Sequence, residues 1–73
     1  MTSKQFCERM YGMYKLLCGN GRAQCTNDRF SCCYTKENTV LTDAIIRACS
    51  VRNIPFTIDC NKHCVNFVVD FSK

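Results

Sequence analysis

Several kinds of segment are absent from this 73-residue chain. No apolar run approaches the ~20 residues of a membrane-spanning helix, so we expect no transmembrane segment. There is no low-complexity stretch and no Pro- or Gly-rich linker, which favours a single domain over residues 1–73. Residues 1–4 are polar and lack the apolar core of a signal peptide, so we expect the chain to be a mature form.

The motifs of common catalytic, phosphate-binding and metal sites are also missing. No serine lies in a nucleophile motif, and an even number of cysteines leaves no spare thiol for nucleophilic catalysis. The glycines at positions 19 and 21 are not followed by the Lys-Ser/Thr pair of a phosphate loop. There is no Cys-x-x-Cys pair for zinc, and the nearest arrangement is His63 beside Cys60 and Cys64. We therefore expect no enzyme, no cofactor and no metal.

Positive charge is present but dispersed. The net charge is +4, and the ten Lys and Arg residues form no block of like charge. Proteins that bind nucleic acid usually concentrate Lys and Arg on one face or segment. A dispersed distribution is typical of a solvated surface, so no nucleic-acid partner is expected.

What the chain does contain is an unusual amount of cysteine. An even number of cysteines in so short a chain is typical of a disulfide framework, and disulfides persist in oxidising, extracellular surroundings. A domain of this size buries little surface, and each bridge contributes ~2–4 kcal/mol, mainly by restricting the unfolded chain. We therefore predict a secreted, extracellular protein whose pairing the sequence leaves open. The predicted disulfide cysteines are Cys7, Cys18, Cys25, Cys32, Cys33, Cys49, Cys60 and Cys64.

Two segments have the apolar spacing of a helix. Over residues 3–18, Ser3 is a candidate N-cap and residues 19–21 are a strong stop signal. A second helix follows Asn38 and Thr39, which are both capping candidates. The apolar residues of the first helix are Phe6, Met10, Met13 and Leu17, and those of the second are Leu41, Ala44, Ile45, Ala48 and Cys49.

The remaining segments alternate between apolar and polar residues, which predicts strands. Residues 54–60 and 65–71 indicate a hairpin that turns at residues 61–63. Residues 29–35 indicate another strand, and residues 22–26 are a candidate strand that pairs with it. The order is helix, strand, strand, repeated once. This predicts an α+β domain, in which two helices pack on one face of a 3–4-stranded antiparallel sheet. The alternative is an all-α disulfide-rich bundle with residues 56–71 as a third helix.

The strand phase also separates two neighbouring cysteines. Cys32 and Cys33 point to opposite faces, because successive side chains alternate along a strand. Cys32 shares its face with Phe30 and is expected to point toward the helices. Cys33 and Cys64 are both expected on the open face, where a bridge between them is a hypothesis.

A candidate contact patch lies near the end of the first helix. Tyr11 and Tyr14 lie beside the apolar stripe and, with Lys15 and Arg22, form a set of residue types that anchor many protein interfaces. The alternative is that these tyrosines border the core and extend their hydroxyls into water.

One segment carries a family resemblance. Cys32-Cys33-Tyr34 leads through a polar turn into Leu41-Thr42-Asp43-Ala44 and a helix that ends at Cys49. This segment, residues 32–50, resembles a unit of virus-encoded fungal killer toxins and of the killer-toxin-like effectors secreted by plant-pathogenic fungi. The family has Cys-x-Cys on the strand and paired cysteines closing the helix, whereas this chain has adjacent cysteines and a single Cys49. The resemblance implies an antiparallel sheet with packed helices.

These observations favour a secreted, cysteine-rich effector or toxin. We expect a monomer that acts without catalysis, by binding a protein target or receptor on another cell. The alternatives are a secreted signalling ligand or pheromone, and a protease inhibitor. An inhibitor would present residues 20–28 as a disulfide-braced loop with Arg22 as the bait residue.

Overall fold

Two helices lie on one face of a four-stranded antiparallel sheet. The computed structural model describes residues 2–18 and 21–72. The elements in chain order are α1 (Ser3–Leu17), β1 (Arg22–Cys25), β2 (Arg29–Thr35), α2 (Thr39–Val51), β3 (Thr57–Cys60) and β4 (Cys64–Asp70). The α+β prediction is confirmed. The all-α alternative is wrong, because the segment it required to be helical forms the hairpin of β3 and β4. Within these described residues, neither helix is long and apolar enough to cross a bilayer.

The sheet has the strand order β1-β2-β4-β3. Its centre is the pairing of β2 with β4, which runs from Arg29 opposite Asp70 to Thr35 opposite Cys64. Strands β1 and β3 are short edges that pair with β2 and β4 respectively. The strand predicted at residues 22–26 is confirmed, and Pro55 lies before β3, as expected of a residue that cannot donate to a ladder.

The core lies between the helices and one face of the sheet. Alternation along β2 and β4 points every second side chain toward the helices, and these inward side chains are buried. Full burial of a large apolar side chain contributes about 1.5–3 kcal/mol, so this layer stabilises the sheet and both helices together. The largest fully buried side chains are Phe30, Phe67, Met10, Leu41, Ile45 and Val69.

The buried face of α1 differs from the predicted stripe. The structure buries Phe6, Cys7, Met10 and Tyr14, whereas Leu17 is 39% exposed. Both sets of positions have helical spacing, so periodicity alone does not separate them. Packing rotates the helix so that Cys7 and Tyr14 face inward.

The caps of the two helices are polar side chains that precede them. Thr2, rather than the predicted Ser3, caps α1: its Oγ1 accepts from the backbone N–H of Gln5 at 3.1 Å, while the Gln5 side chain accepts from the Thr2 N–H at 3.0 Å. Asn38 caps α2 as predicted, since its Oδ1 accepts from the Leu41 N–H at 3.1 Å. At the other end of α2, Asn53 adopts a φ of 53°, the left-handed conformation that commonly follows a helix.

One terminus of each of the six elements lies at the same end of the molecule. Here α1, β2 and β3 end, and α2, β1 and β4 begin. The Asn38 side-chain Nδ2 joins the two helices at this end by donating to the Leu17 carbonyl at 3.1 Å. We call this region the cleft end, because two surface depressions lie there.

Candidate functional site

The first depression, the α1–β1 cleft, lies between helix α1 and edge strand β1 and has a volume of about 400 Å³. Its lining includes all four residues of the predicted contact patch: Tyr11, Tyr14, Lys15 and Arg22. Gln24 of β1 adds a side-chain amide. An aromatic face of α1 thus lies against the start of β1.

Tyr11 and Lys15 form one unit on the exposed side of α1. They are four residues apart, so they are neighbours on the helix surface. The Lys15 Nζ lies 5.4 Å from the centroid of the Tyr11 ring, a distance suited to a cation–π contact. Tyr11 is half-buried and Lys15 is exposed, so both side chains can reach a partner molecule.

Tyr14 has a different role from the one predicted. Its side chain is only 3% exposed, and its hydroxyl donates to the Cys33 carbonyl at 3.1 Å. Burial, followed by a hydrogen bond and a charge interaction with Cys18, raises the pKa of Tyr14 well above its usual range. Tyr14 therefore joins α1 to β2 and forms a wall of the cleft. It is not an exposed anchor for a partner, because its hydroxyl is already hydrogen-bonded to the backbone of β2.

Arg22 lies at the junction of several depressions. It is exposed on β1, directly opposite Cys33 of β2. Its side chain lines the α1–β1 cleft, the second depression described below, and a shallow depression of about 280 Å³ on the open face of the sheet. The ion pairs of the described residues join Arg29 to Asp70 and Arg47 to Asp43, so neither involves Arg22.

The position of Arg22 differs from the loop that the inhibitor hypothesis requires. Residues 22–25 form a strand that pairs with β2, rather than part of an exposed loop. A bait residue must enter a protease active site on a protruding segment. Arg22 is instead held in a hydrogen-bonded ladder at the edge of the sheet.

The second depression, the end groove, has a volume of about 500 Å³ and was not predicted. Leu17, Tyr34 and Asn38 line it, together with the three cysteines Cys18, Cys33 and Cys64. Two strongly exposed apolar side chains lie on the helix turns that border it, Leu16 (87% exposed) and Val40 (64% exposed). One feature of the sequence could have indicated an exposed apolar surface here: Leu16 and Val40 lie off the apolar stripes of their helices.

Charge at the cleft end is predominantly positive. The segments that meet there are residues 15–18, 21–22, 35–38 and 61–64, and Glu37 is their one carboxylate. Cations without a nearby carboxylate create a positive potential that attracts anionic groups. The Lys and Arg residues of these segments are Lys15, Arg22, Lys36 and Lys62.

The eight predicted disulfide cysteines occupy three kinds of surroundings. The buried ones are Cys7, Cys32 and Cys49, the half-buried ones are Cys18, Cys25, Cys33 and Cys64, and Cys60 is exposed. No sulfur–sulfur bond joins them in the structure, so the disulfide framework stays a prediction. Burial raises the pKa of Cys32 to about 12 and that of Cys49 to about 11, which disfavours thiolate formation at both positions.

The described part of the chain contains no cluster of side chains that could form a metal centre. Within residues 2–18 and 21–72, no three His, Cys, Asp or Glu side chains are placed to hold an ion together. His63, the residue closest to a zinc-like spacing, is exposed in the turn before β4. Its backbone N–H donates to the Asn61 Oδ1 at 2.8 Å, so this turn is organised by an asparagine.

Comparison of the chain with family models, with curated proteins and with solved structures finds no match. The resemblance of residues 32–50 to killer-toxin-like effectors therefore stays a prediction.

Proposed function

We propose that this protein is a secreted, disulfide-braced effector or toxin that acts without catalysis, by binding a protein or surface of a target cell. The observation that carries the proposal is the α1–β1 cleft. Lys15, Arg22 and Tyr11 line it, and none of the described residues in its lining carries a carboxylate. Arg and Tyr are the residue types that most often contribute strongly to binding at protein interfaces.

The charges favour a partner that presents carboxylates. An acidic segment entering the cleft would meet the Lys15 ammonium and the Arg22 guanidinium, and Arg can bind a carboxylate through two parallel hydrogen bonds. Complementary charge also accelerates association and discriminates against wrong partners. The exposed Leu16 and Val40 supply apolar area on the helix turns that border the neighbouring end groove.

Secretion and bracing rest on the cysteine content. Eight cysteines in 73 residues are far above ordinary usage and typical of small extracellular domains. The local resemblance of residues 32–50 to killer-toxin-like effectors supports the same class. Native protein is expected to weigh eight hydrogens less than its fully reduced form. An intact mass without that difference would contradict the bracing.

Charge reversal tests the binding surface. Fluorescently labelled protein is applied to fungal, plant and animal cells, and binding to the responsive cell type is compared with that of a Lys15→Glu/Arg22→Glu variant. We expect the variant to lose at least tenfold in affinity, because two attractions become repulsions. Lys4→Glu/Arg9→Glu is the matched control, since it makes the same charge change at two exposed positions of α1 outside the cleft lining.

The outcome that would refute the proposal is equal binding by the double variant and the wild type. A signalling ligand or pheromone is the remaining alternative, and it is distinguished by the responding cell. A toxin or effector modulates foreign cells, whereas a signal acts on cells of the producer's own kind. Stoichiometric inhibition in a trypsin titration is required of the inhibitor hypothesis, and the strand position of Arg22 argues against that result.

A further inference from the structure

Two cysteines lie near each other on the open face of the sheet. In the register of the two central strands, Cys33 is opposite Asn66 and Cys64 is opposite Thr35. Cys33 and Cys64 are therefore diagonal neighbours that point to the same face. Diagonal neighbours in an antiparallel pair are about 7–8 Å apart, with their Cβ atoms closer. A disulfide needs Cα atoms about 4.4–6.8 Å apart, so forming the bond requires a backbone movement that brings β2 and β4 closer at this end.

The surroundings of the pair also favour a bond. Cys33 and Cys64 both line the end groove, which places them beside the same depression. Cys64 is oriented by Asn61, whose Nδ2 donates to the Cys64 Sγ at 3.2 Å and whose Oδ1 accepts from the Cys64 backbone N–H at 2.8 Å. The pKa of Cys33 is raised, first by hydrogen bonding to Cys64 and then by burial, and the positive charge of Arg22 partly opposes this rise.

The neighbouring cysteines are less well placed to bond with either thiol. Cys32 points to the opposite face and is buried at 5% exposure. Cys60 lies opposite Val65, which places it in the same inward phase as Val65 and away from Cys64. Cys18 is the competitor, because it lines the end groove together with Cys33 and Cys64.

We propose that Cys33 and Cys64 form a disulfide across the two central strands at the cleft end. The bond forms by exchange with oxidised glutathione or an equivalent disulfide. The Cys33 thiolate attacks one glutathione sulfur and releases one glutathione thiolate; the Cys64 thiolate then attacks the Cys33 sulfur of the mixed disulfide and releases the second. One protein disulfide forms, the two thiol protons go to solvent or to the released thiolates, and the glutathione disulfide is reduced to two thiols.

This inference rests on the proposed function, because it identifies one of the disulfides that would brace the protein. The bond joins β2 to β4 where both strands border the end groove, and so fixes that wall of the groove. Its connectivity is nevertheless tested separately from cell binding.

Peptide mapping of the wild-type chain tests the bond. The protein is refolded in a glutathione redox buffer, its free thiols are alkylated, and it is digested with trypsin under denaturing conditions. Cleavage after Arg29, Lys36 and Lys62 gives residues 30–36, which contain Cys32 and Cys33, and residues 63–73, which contain only Cys64. We expect these two peptides to be joined, and fragmentation between Cys32 and Cys33 to place the link on Cys33.

Single substitutions provide the matched comparison. Cys33→Ser is expected to leave the 63–73 peptide alkylated or joined elsewhere, whereas Cys32→Ser, one residue away on the opposite face, keeps the link. If Cys32→Ser fails to fold, fragmentation of the wild-type peptide pair still assigns the bond. Linkage of Cys64 to Cys18 or any other cysteine would overturn this connectivity and leave the proposed function standing. Eight alkylated cysteines would overturn both.

Discussion

Gly21 is exposed, yet we predict that replacing it with alanine strongly destabilises the protein. A Cβ atom at this position would collide with the Tyr14 hydroxyl oxygen and would lie 2.9 Å from the Tyr14 Cζ and 2.5 Å from the Cys33 carbonyl oxygen. These are the two groups joined by the 3.1 Å hydrogen bond that holds α1 against β2. The substitution therefore disturbs a helix–sheet contact from the surface.

The expected magnitude follows from two costs. Inserting a methyl group into a packed site costs about 1–3 kcal/mol. Displacing the Tyr14 hydroxyl from the Cys33 carbonyl adds about 1 kcal/mol for a lost hydrogen bond. Together they predict a loss of about 2–4 kcal/mol in the free energy of unfolding. For a domain of this size, each 1 kcal/mol lowers the Tm by about 4–8 °C.

Gly12 supplies a control with the opposite sign. It lies within α1, and a Cβ there would meet no atom within 4 Å. Gly12→Ala is expected to raise the free energy of unfolding by about 1 kcal/mol, because alanine restricts the unfolded chain and favours the helix.

Urea unfolding of oxidised protein, followed by circular dichroism, measures both glycine variants. In a Tyr14→Phe background, Gly21→Ala should cost less than in the wild type, because the closest atom has been removed. If Gly21→Ala is as stable as the wild type, Gly21 does not lie tightly against the Tyr14–Cys33 hydrogen bond.

Three further predictions concern the core, a cap and the response to pH. Ile45→Ala removes a fully buried side chain and is expected to lower the free energy of unfolding by about 2–5 kcal/mol, while Val51→Ala at a 79% exposed position changes it by less than about 0.5 kcal/mol; equal effects in urea unfolding would contradict the core assignment. Asn38→Ala should cost about 1–2 kcal/mol, because it removes the α2 cap together with the link to α1, and Asn38→Asp should recover the cap part alone; no recovery would argue against the cap. Burial is the first cause that raises the pKa of Tyr14 and Tyr34 in the folded protein. Their contribution to stability is therefore complete below a pH of about 10, the ordinary tyrosine pKa, and falls as the pH rises above that value. Urea midpoints measured from pH 8 upward should decrease above that value, and less steeply in Tyr14→Phe; a midpoint independent of pH would exclude this linkage.

Patterns that depend on one segment alone were predicted well. The alternation over residues 29–35 matches β2 in full, because strand side chains repeat every two residues whatever they pack against. Asn38 was a capping candidate because a short polar side chain can reach the first free N–H groups of a helix. The opposite faces of Cys32 and Cys33 follow from the same alternation.

Choices between faces of one helix were predicted less well. In α1, the positions Phe6-Met10-Met13-Leu17 and Phe6-Met10-Tyr14 both have helical spacing. Tyr14 faces inward because its hydroxyl meets the Cys33 carbonyl of a strand that is distant in sequence. Nothing within α1 itself specifies that partner.

The candidate site shows the same division. Tyr11 and Lys15 are neighbours in any helix, since they are four residues apart. Arg22 joins them only because β1 lies alongside α1 in the folded protein. The end groove was missed because its lining comes from α1, β1, β2, β4 and the start of α2, which only the completed sheet brings together.

The sequence by itself determined the order of helices and strands, the inward and outward phase of β2, β3 and β4, and the abundance of cysteine, because these depend on local periodicity and composition. The tertiary structure alone decided which side of α1 is buried, where Arg22 lies relative to Lys15, and which cysteines are neighbours. Those features depend on distances between segments far apart in the chain, and such distances are set by packing the whole core at once.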